Sequence, residues 1–487
     1  MKHRGTVLTF CIALAGCAAV GPDYDGPPPS TADVVTAFPS ASEGGAALVG
    51  NEPAADWWRR LDDPVLTALM EAAVAANYDL RVAVANVEGA RAVLAAVDTR
   101  RRPRIDANAV VQERRDASGL IVFADPDTRF PTISSGTFSL DLTWELDLFG
   151  RVRRSVEAAA ADLGSFEAVQ NAVLTTVIAQ VARAYVDLRG AQMRLDVAER
   201  NVAVQQQTLD LVTVLSREGA ATELDLERAR TQLLSSQATI PNHRAVERRA
   251  LNALSTLTAR PPGALASLLA AHVSLPPMPD TVAVGTPSDL LRRRPDIQIA
   301  ERALAAAAAR IGIATADLFP TVTFGARVGV GGAPLSSLAS PGALLFSAGP
   351  SVTWNLFDRE AIYARIRQQD SSAAANLARY EATVTTALEE VDSTLNAWLN
   401  ERERRARLSA ARESSLNAAD LARLRYREGV EDFLTVLDAQ RSLLVIEDQL
   451  ALSEIDLTQG LISIQLALGV GWQAASAPAP VPYAGSR

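Results

Sequence analysis

Proline is absent from two long stretches of this chain, residues 132–240 and 351–477. A proline inside an α-helix costs about 3 kcal/mol, because it removes a donor and clashes with the preceding turn. Long stretches without it are what long helices require. The apolar spacing agrees. Val177, Val181, Ala184, Leu188, Ala191, Leu195, Ala198 and Val202 step alternately by four and three residues, and so do Val384, Leu388, Val391, Leu395 and Trp398. This is a heptad seam, the mark of helices packed along one another as in a coiled coil. The run from Gly150 to Ser216 would extend about 100 Å if fully helical. It stops at Arg217-Glu218-Gly219, where Gly219 can take the left-handed conformation that ends a helix. A second helix is expected to follow, to about Leu257. Aromatic residues make up only 5% of the chain and alanine is abundant, which also favours helix.

The run from Asp358 to Arg427 behaves alike and stops at Arg427-Glu428-Gly429. The likeness is an internal duplication. REGAATELDLERARTQL, from Arg217, matches REGVEDFLTVLDAQRSL, from Arg427. Asn77-Tyr78-Asp79-Leu80 matches Arg294-Pro295-Asp296-Ile297, and Leu148-Phe149-Gly150-Arg151 matches Leu356-Phe357-Asp358-Arg359. Each half reads helix, strand, loop, strand, very long helix, turn, long helix. The first repeat is expected over 56–262 and the second over 263–472, with a disordered tail at 473–487.

Four segments alternate in polarity. Phe138, Leu140, Leu142, Trp144, Leu146 and Leu148 interleave with Thr137, Ser139, Asp141, Thr143, Glu145 and Asp147. Segments 321–332 and 343–356 alternate too, and 105–114 does so more weakly. Each has about 10 residues, the length of a tilted membrane-spanning strand. A soluble sheet with one wet face has the same pattern. If the strands span, four cannot close a barrel, and an open edge is not tolerated in lipid. Two chains would give about 8 strands and three about 12, and composition does not choose between them. Pro350, inside the fourth segment, lacks an N–H and calls for a bulge or an irregular start.

The N-terminus bears on the choice between lipid and water. Lys2, His3 and Arg4 precede an apolar run from Thr6 to Gly16 that is too short to span a bilayer. Residues 1–16 read as a secretory signal peptide. Leu14-Ala15-Gly16-Cys17 resembles the bacterial lipoprotein box, in which the cysteine becomes the acylated first residue. Ala18 follows, not the Asp that commonly retains lipoproteins at the inner membrane. Residues 17–55, rich in Pro, Gly, Ser and Ala, read as a lipid-anchored tether. Both cysteines, Cys11 and Cys17, lie at this end, so the mature chain can form no disulfide. The net charge of −9 becomes −11 once Lys2 and Arg4 are removed, which argues against nucleic acid as a partner.

With these features in place the sequence resembles the TolC-type outer-membrane efflux factors, in their lipoprotein (NodT-like) branch. The carriers are Asp56-Trp57-Trp58 with Asp63-Pro64, then Glu145-Leu146-Asp147-Leu148-Phe149-Gly150-Arg151-Val152-Arg153-Arg154. Further carriers are Leu290-Leu291-Arg292-Arg293-Arg294-Pro295-Asp296-Ile297, Phe319-Pro320, Gly349-Pro350-Ser351 and Leu434-Thr435-Val436-Leu437-Asp438-Ala439-Gln440-Arg441. The resemblance covers essentially the whole mature chain. It implies a mainly α fold with a membrane β-barrel part. Duplicated long-helix hairpins would form a trimeric α-barrel, and four strands per chain would contribute to a shared 12-stranded β-barrel.

The resemblance also implies a role, the exit duct of a tripartite efflux pump in the outer membrane. Its partners would be a periplasmic adaptor (membrane fusion) protein and an inner-membrane pump of the resistance-nodulation-division type. The family's periplasmic gate lies at the helical tips, and the matching positions here are Leu434 and Asp438, four apart on one helix face. Three copies of Asp438 would form a carboxylate ring. An acid in the first turns of a helix is equally at home with the helix dipole. The turn glycines Gly219 and Gly429 mark where the family docks its adaptor. Some relatives carry a second acid where this chain has Thr435, and the first repeat has Arg228 at the position of Asp438. Two other readings remain open at this stage: the outer-membrane component of an ABC-driven protein secretion system, and a non-spanning coiled-coil scaffold. No cofactor, metal site or catalytic group is expected. His3, His243 and His272 are isolated, and Gly329-Val330-Gly331-Gly332-Ala333-Pro334 is not a dinucleotide fingerprint.

Overall fold

The computed structural model describes residues 19–29, 32, 35–43, 47–115, 132–475 and 478. Cys17, the signal segment and the loop tip between the first two long strands lie outside them. In chain order the elements are β1 (Leu48–Val49), α1 (Pro64–Ala76), α2 (Tyr78–Asp98), β2 (Arg104–Arg115), β3 (Thr132–Glu145), α3 (Arg151–Arg217), α4 (Glu223–Gln237) and α5 (Ile240–Leu257). The second half continues with β4 (Val282–Ala283), α6 (Pro295–Ala316), β5 (Thr321–Gly332), β6 (Leu344–Thr353), α7 (Arg359–Arg427) and α8 (Phe433–Ala467). The chain forms two compact units. One contains Gly89–Ser165, Ala300–Arg379 and the described part of Met1–Pro28; the other contains Phe166–Ile299, Tyr380–Arg487 and Pro29–Glu88, again as far as described.

The first unit is built on a four-stranded antiparallel sheet of order β2-β3-β5-β6. Its register puts the apolar set on one face. Leu140 pairs with Val328 and Val328 with Phe346, while Phe138 pairs with Val330 and Val330 with Leu344. Ile105, Phe138, Leu140, Val328, Leu344, Phe346 and Val352 are all exposed, Phe346 to 76%. The opposite face carries Asp106, Asn108, Ser139, Asp141 and Arg327. There Asp141 accepts from Asn108 Nδ2 at 2.6 Å and pairs with the Arg327 guanidinium. Val110 and Leu345 are the exposed apolar residues on that polar face.

Two strands end sooner than their alternation suggests. β3 stops at Glu145, not at residue 148, and β6 stops at Thr353, not at 356. At β3 the cause is a cap. Asp147 adopts φ 39°, and its carboxylate accepts the Val152 N–H at 2.8 Å and the Arg153 N–H at 3.0 Å, opening α3. Pro350 needs no bulge. It pairs with Phe324 in an unbroken register, on a strand at the edge of the sheet, where a missing N–H is tolerated.

Part of the segment read as a tether is held against this unit. Val20 N–H donates to the Phe149 carbonyl at 3.1 Å. The Arg154 side chain, only 4% exposed, donates to the carbonyls of Val20 and Gly21 and to Asp23. A Cβ on Gly21 would sit 2.4 Å from Gly312 Cα, so only glycine allows this approach.

In the second unit the heptad seam is the core. Val177, Val181, Ala184, Leu188, Ala191, Leu195, Val384, Val391, Leu395 and Trp398 are buried, while Ala198, Val202 and Leu388 are half-buried. The single helix expected after Gly219 is two helices. α4 ends at Gln237 and α5 restarts at Ile240 with Pro241 in its first turn, where its missing N–H is harmless. Its counterpart α8, free of proline, runs unbroken for 35 residues. β1 pairs in parallel with β4, giving another part of the expected tether a fixed place.

The duplication extends to how helix ends are satisfied. Asn77 accepts the Asp79 and Leu80 N–H groups at the start of α2 and donates to the Leu257 carbonyl, the last of α5. At the matching position Arg294 donates to the Ala467 carbonyl, the last of α8, at 2.6 Å, and binds Asp296 and Glu390. Asp63 caps α1 by accepting from Val65 and Leu66, and Pro64 opens the helix; Tyr185 on α3 donates to the same carboxylate at 2.6 Å. Burial, then this bond to Asp63, pushes the Tyr185 hydroxyl up to about 12, so it remains a donor at neutral pH. Replacing Arg294 leaves a carbonyl and two half-exposed carboxylates without their donor. Arg294→Ala should lower stability by about 2 kcal/mol, less than the 3–5 of a fully buried pair. Thermal unfolding followed by helical circular dichroism checks this; an unchanged melting temperature would exclude the role.

Candidate functional site

Of the residues singled out for function, Cys17 lies outside the described residues, and Gly219, Gly429, Leu434 and Asp438 lie at or just after two helix-to-helix turns in the second unit. α3 ends at Arg217 and Gly219 follows at φ 76°; α7 ends at Arg427 and Gly429 follows at φ 71°. A Cβ on either glycine would meet nothing within 4 Å, so the left-handed backbone alone requires the residue. The turns close alike. Ala220 N–H donates to the Leu215 carbonyl at 2.8 Å, and Val430 N–H to the Arg425 carbonyl at 2.9 Å.

The helices after the turns start with related caps in which threonine and aspartate exchange places. In the first repeat Thr222 caps α4 and Asp225 reaches back to it, a capping box. In the second, Asp432 caps α8 and accepts from both the N–H and the hydroxyl of Thr435, each at 2.9 Å. These bonds, the Thr435 N–H first, hold the Asp432 carboxyl below the usual carboxylate range, with Arg228 adding a favourable charge. Thr435 is thus occupied as a cap partner. Arg228 sits opposite Asp225 at 3.7 Å and does not stand in for Asp438. The capping roles of Asp432, Thr435 and Asp225 are not among the sequence expectations, although the spacing of a polar cap three residues from its partner is there to find.

Both turns share one apolar cluster. Val212, Ala229, Ala422, Phe433, Val436 and Leu437 are buried in it, and Tyr426 packs beside Phe433 with ring centroids 5.5 Å apart. Leu434 and Asp438 lie on the other side of α8. Leu434 is 45% exposed, and Asp438 is exposed with no ion pair among the described residues. The two therefore share an outward face, as their spacing predicts. Leu224, the first-repeat equivalent of Leu434, is also bare at 57%. This arrangement offers an exposed apolar side chain and, one turn on, an exposed carboxylate with no ion pair among the described residues. Elsewhere in this unit an open groove of about 660 Å³ is lined by Arg194, His243 and Asp448, but the Arg194 guanidinium is already spent on Asp448 at 2.9 Å. Among the described residues no group of three His, Cys, Asp or Glu side chains could hold a metal ion.

Comparison with known proteins gives a consistent answer. The family model described as "Outer membrane efflux protein" matches residues 69–260 and 286–470, one stretch in each repeat. Among curated relatives, Nodulation protein T of Rhizobium leguminosarum bv. trifolii is 28% identical, covering 96% of this chain and 97% of its own. Outer membrane protein OprJ of Pseudomonas aeruginosa is 30% identical over 96% and 95%, and the toluene efflux pump outer membrane protein TtgI of Pseudomonas putida 30% over 97% and 99%. Among solved structures, the outer-membrane channel OprN superimposes with a TM-score of 0.86 at 36% identity, covering 94% of this chain and all of that one. The open state of the Neisseria gonorrhoeae MtrE outer membrane channel does so with a TM-score of 0.78 at 28% identity, over 93% and 99%. The chain belongs to the outer membrane efflux protein family.

Proposed function

We propose that three copies of this chain close into the exit duct of a tripartite efflux pump, passing small molecules outward across the outer membrane. The observation that carries the reading is the four-stranded sheet with one exposed apolar face, one polar face and two unpaired edges. In hydrocarbon only a closed barrel satisfies such edges, and barrels begin at about 8 strands. Three chains give about 12, with the apolar face toward lipid and the polar face, with Asp141 and Arg327, toward the lumen. Helices of 67 and 69 residues, about 100 Å each, suit a duct through the periplasm.

Leu434 and Asp438 form the periplasmic gate in this reading. Their exposure on one face of α8 supports it, since a constriction needs side chains not already used in the core. Three unpaired carboxylates would favour cations and resist anions. The turns at Gly219 and Gly429 meet the periplasmic adaptor, and a resistance-nodulation-division pump in the inner membrane supplies the energy. Cys17 carries the acyl anchor after removal of residues 1–16. The duct performs no chemistry and needs no cofactor. Relatives named for toluene and pyoverdine export support small molecules as cargo.

Three measurements test this. Light scattering of the detergent-purified particle, corrected for bound detergent, should give three chains; a monomer that stays soluble without detergent once Cys17 is replaced would defeat the barrel. Asp438→Ala should raise the trimer's ion conductance in planar bilayers and lower its cation preference, whereas an unchanged conductance would remove Asp438 from the gate. A protease site inserted between Asp125 and Thr132 should be cut in intact cells, and resistance there would contradict spanning.

A further inference from the structure

The base of the sheet, where β2 begins and β3 ends, carries a charge imbalance that its own carboxylates do not correct. Arg104 pairs in register with Thr143, and the short turn Thr99–Arg101 lies just before it. Trp144, from the apolar face of the sheet, donates its indole N–H to the Arg101 carbonyl at 3.1 Å. The turn is therefore drawn to the apolar side of the sheet, not the polar side. Nearby acids are already engaged: Asp98 with Arg101, Asp106 with Arg104, Glu145 with Arg151 and Asp147 with Arg153. Arg100 and Arg102 are exposed and have no carboxylate partner among the described residues. At the far edge Asp358, Arg359 and Glu360 are all exposed without an ion pair among the described residues and sum to one negative charge, so the net positive charge lies at the β2 base.

The surroundings have the composition of a water–lipid boundary. Trp354 donates its indole N–H to the Leu318 carbonyl at 3.0 Å, Phe149 stacks on Phe319 with centroids 4.7 Å apart, and Phe357 is fully exposed. Indoles with satisfied N–H groups and rings beside an apolar surface mark the headgroup level of membrane barrels.

We propose that Arg100 and Arg102 bind the headgroup phosphate of an anionic phospholipid whose acyl chains lie on the apolar face above Trp144. The inference rests on the spanning reading given above. Guanidinium groups suit the site because each can donate two parallel hydrogen bonds to one phosphate. One basic side chain near an anionic surface is worth about fivefold in binding.

Spin-labelled phosphatidylglycerol and phosphatidylcholine, each in vesicles holding the full-length reconstituted protein, provide the test. The motionally restricted fraction should favour phosphatidylglycerol by about fivefold or more in the native protein. The double variant Arg100→Ala/Arg102→Ala should fall to parity, and Arg100→Lys/Arg102→Lys should keep most of the preference. No preference in the native protein, or an undiminished one in the alanine variant, would overturn the proposal. Conductance recorded from the same vesicles separates the two readings. A conducting protein without lipid preference loses only the lipid site; a protein that never conducts loses the spanning reading and the site with it.

Discussion

Each outer strand of the sheet, β2 and β6, has along one side a row of backbone groups that no other strand of the described chain pairs. In water such an edge is managed with charges or cover; in hydrocarbon each unpaired group costs several kcal/mol. The rest of the design can be argued from that one constraint. Among the described residues there are only four long strands, so in the proposed barrel closure would come from further copies of the chain. The exposed apolar face, which in a soluble protein would be an aggregation hazard, would then be the surface that lipid covers. Pro350 fits the same logic, because it sits on β6, where a missing N–H can be hidden at a seam.

The two repeats share one plan, but the copies have diverged in the residues that carry it out. Their ends are tied by analogous devices, Asn77 on the Leu257 carbonyl and Arg294 on the Ala467 carbonyl. The neutral amide suffices at one, and the charged guanidinium draws two carboxylates into the other. The caps after the turns exchange threonine and aspartate, and the second keeps the bond to the third helical N–H while giving up the reciprocal bond to the backbone N–H of the capping residue. Further along, Pro241 divides the first repeat's returning helix while α8 continues unbroken. The outcome is one apolar cluster under both turns, with Asp438 presented only by the second repeat.

Much of this was legible in the sequence because it rests on local periodicity. The heptad seam, the segment 321–332, the turn glycines and the shared face of Leu434 and Asp438 all follow from spacing of two, three or four residues. What was missed depends on single groups acting against the pattern. Alternation runs on to Leu148, yet Asp147 turns its carboxylate onto the next helix and ends the strand three residues early. Proline counting passed over Pro241 because it stands one residue beyond the proline-free span. Asp432 escaped notice because its neighbour Asp438 was the more conspicuous acid, though Asp432 is the one already committed to the backbone.

The N-terminal strap escaped for a different reason. Composition without periodicity reads as a free tether, but the contacts that hold Val20, Gly21 and Asp23 come from residues more than a hundred positions away: Phe149, Arg154 and Gly312. Holding it there has a consequence for the anchor. Cys17 is two residue steps from Ala19, a reach of about 7 Å even when fully extended. An acyl group on Cys17 could then enter lipid only beside the base of the sheet, close to where Val20 meets Phe149. A free tether of several dozen residues would let the anchor and the strands find the membrane independently. With the strap held, an anchor on Cys17 and the sheet would share one depth, so the lipid chain would position the sheet at the interface while the proposed barrel would provide the lasting attachment.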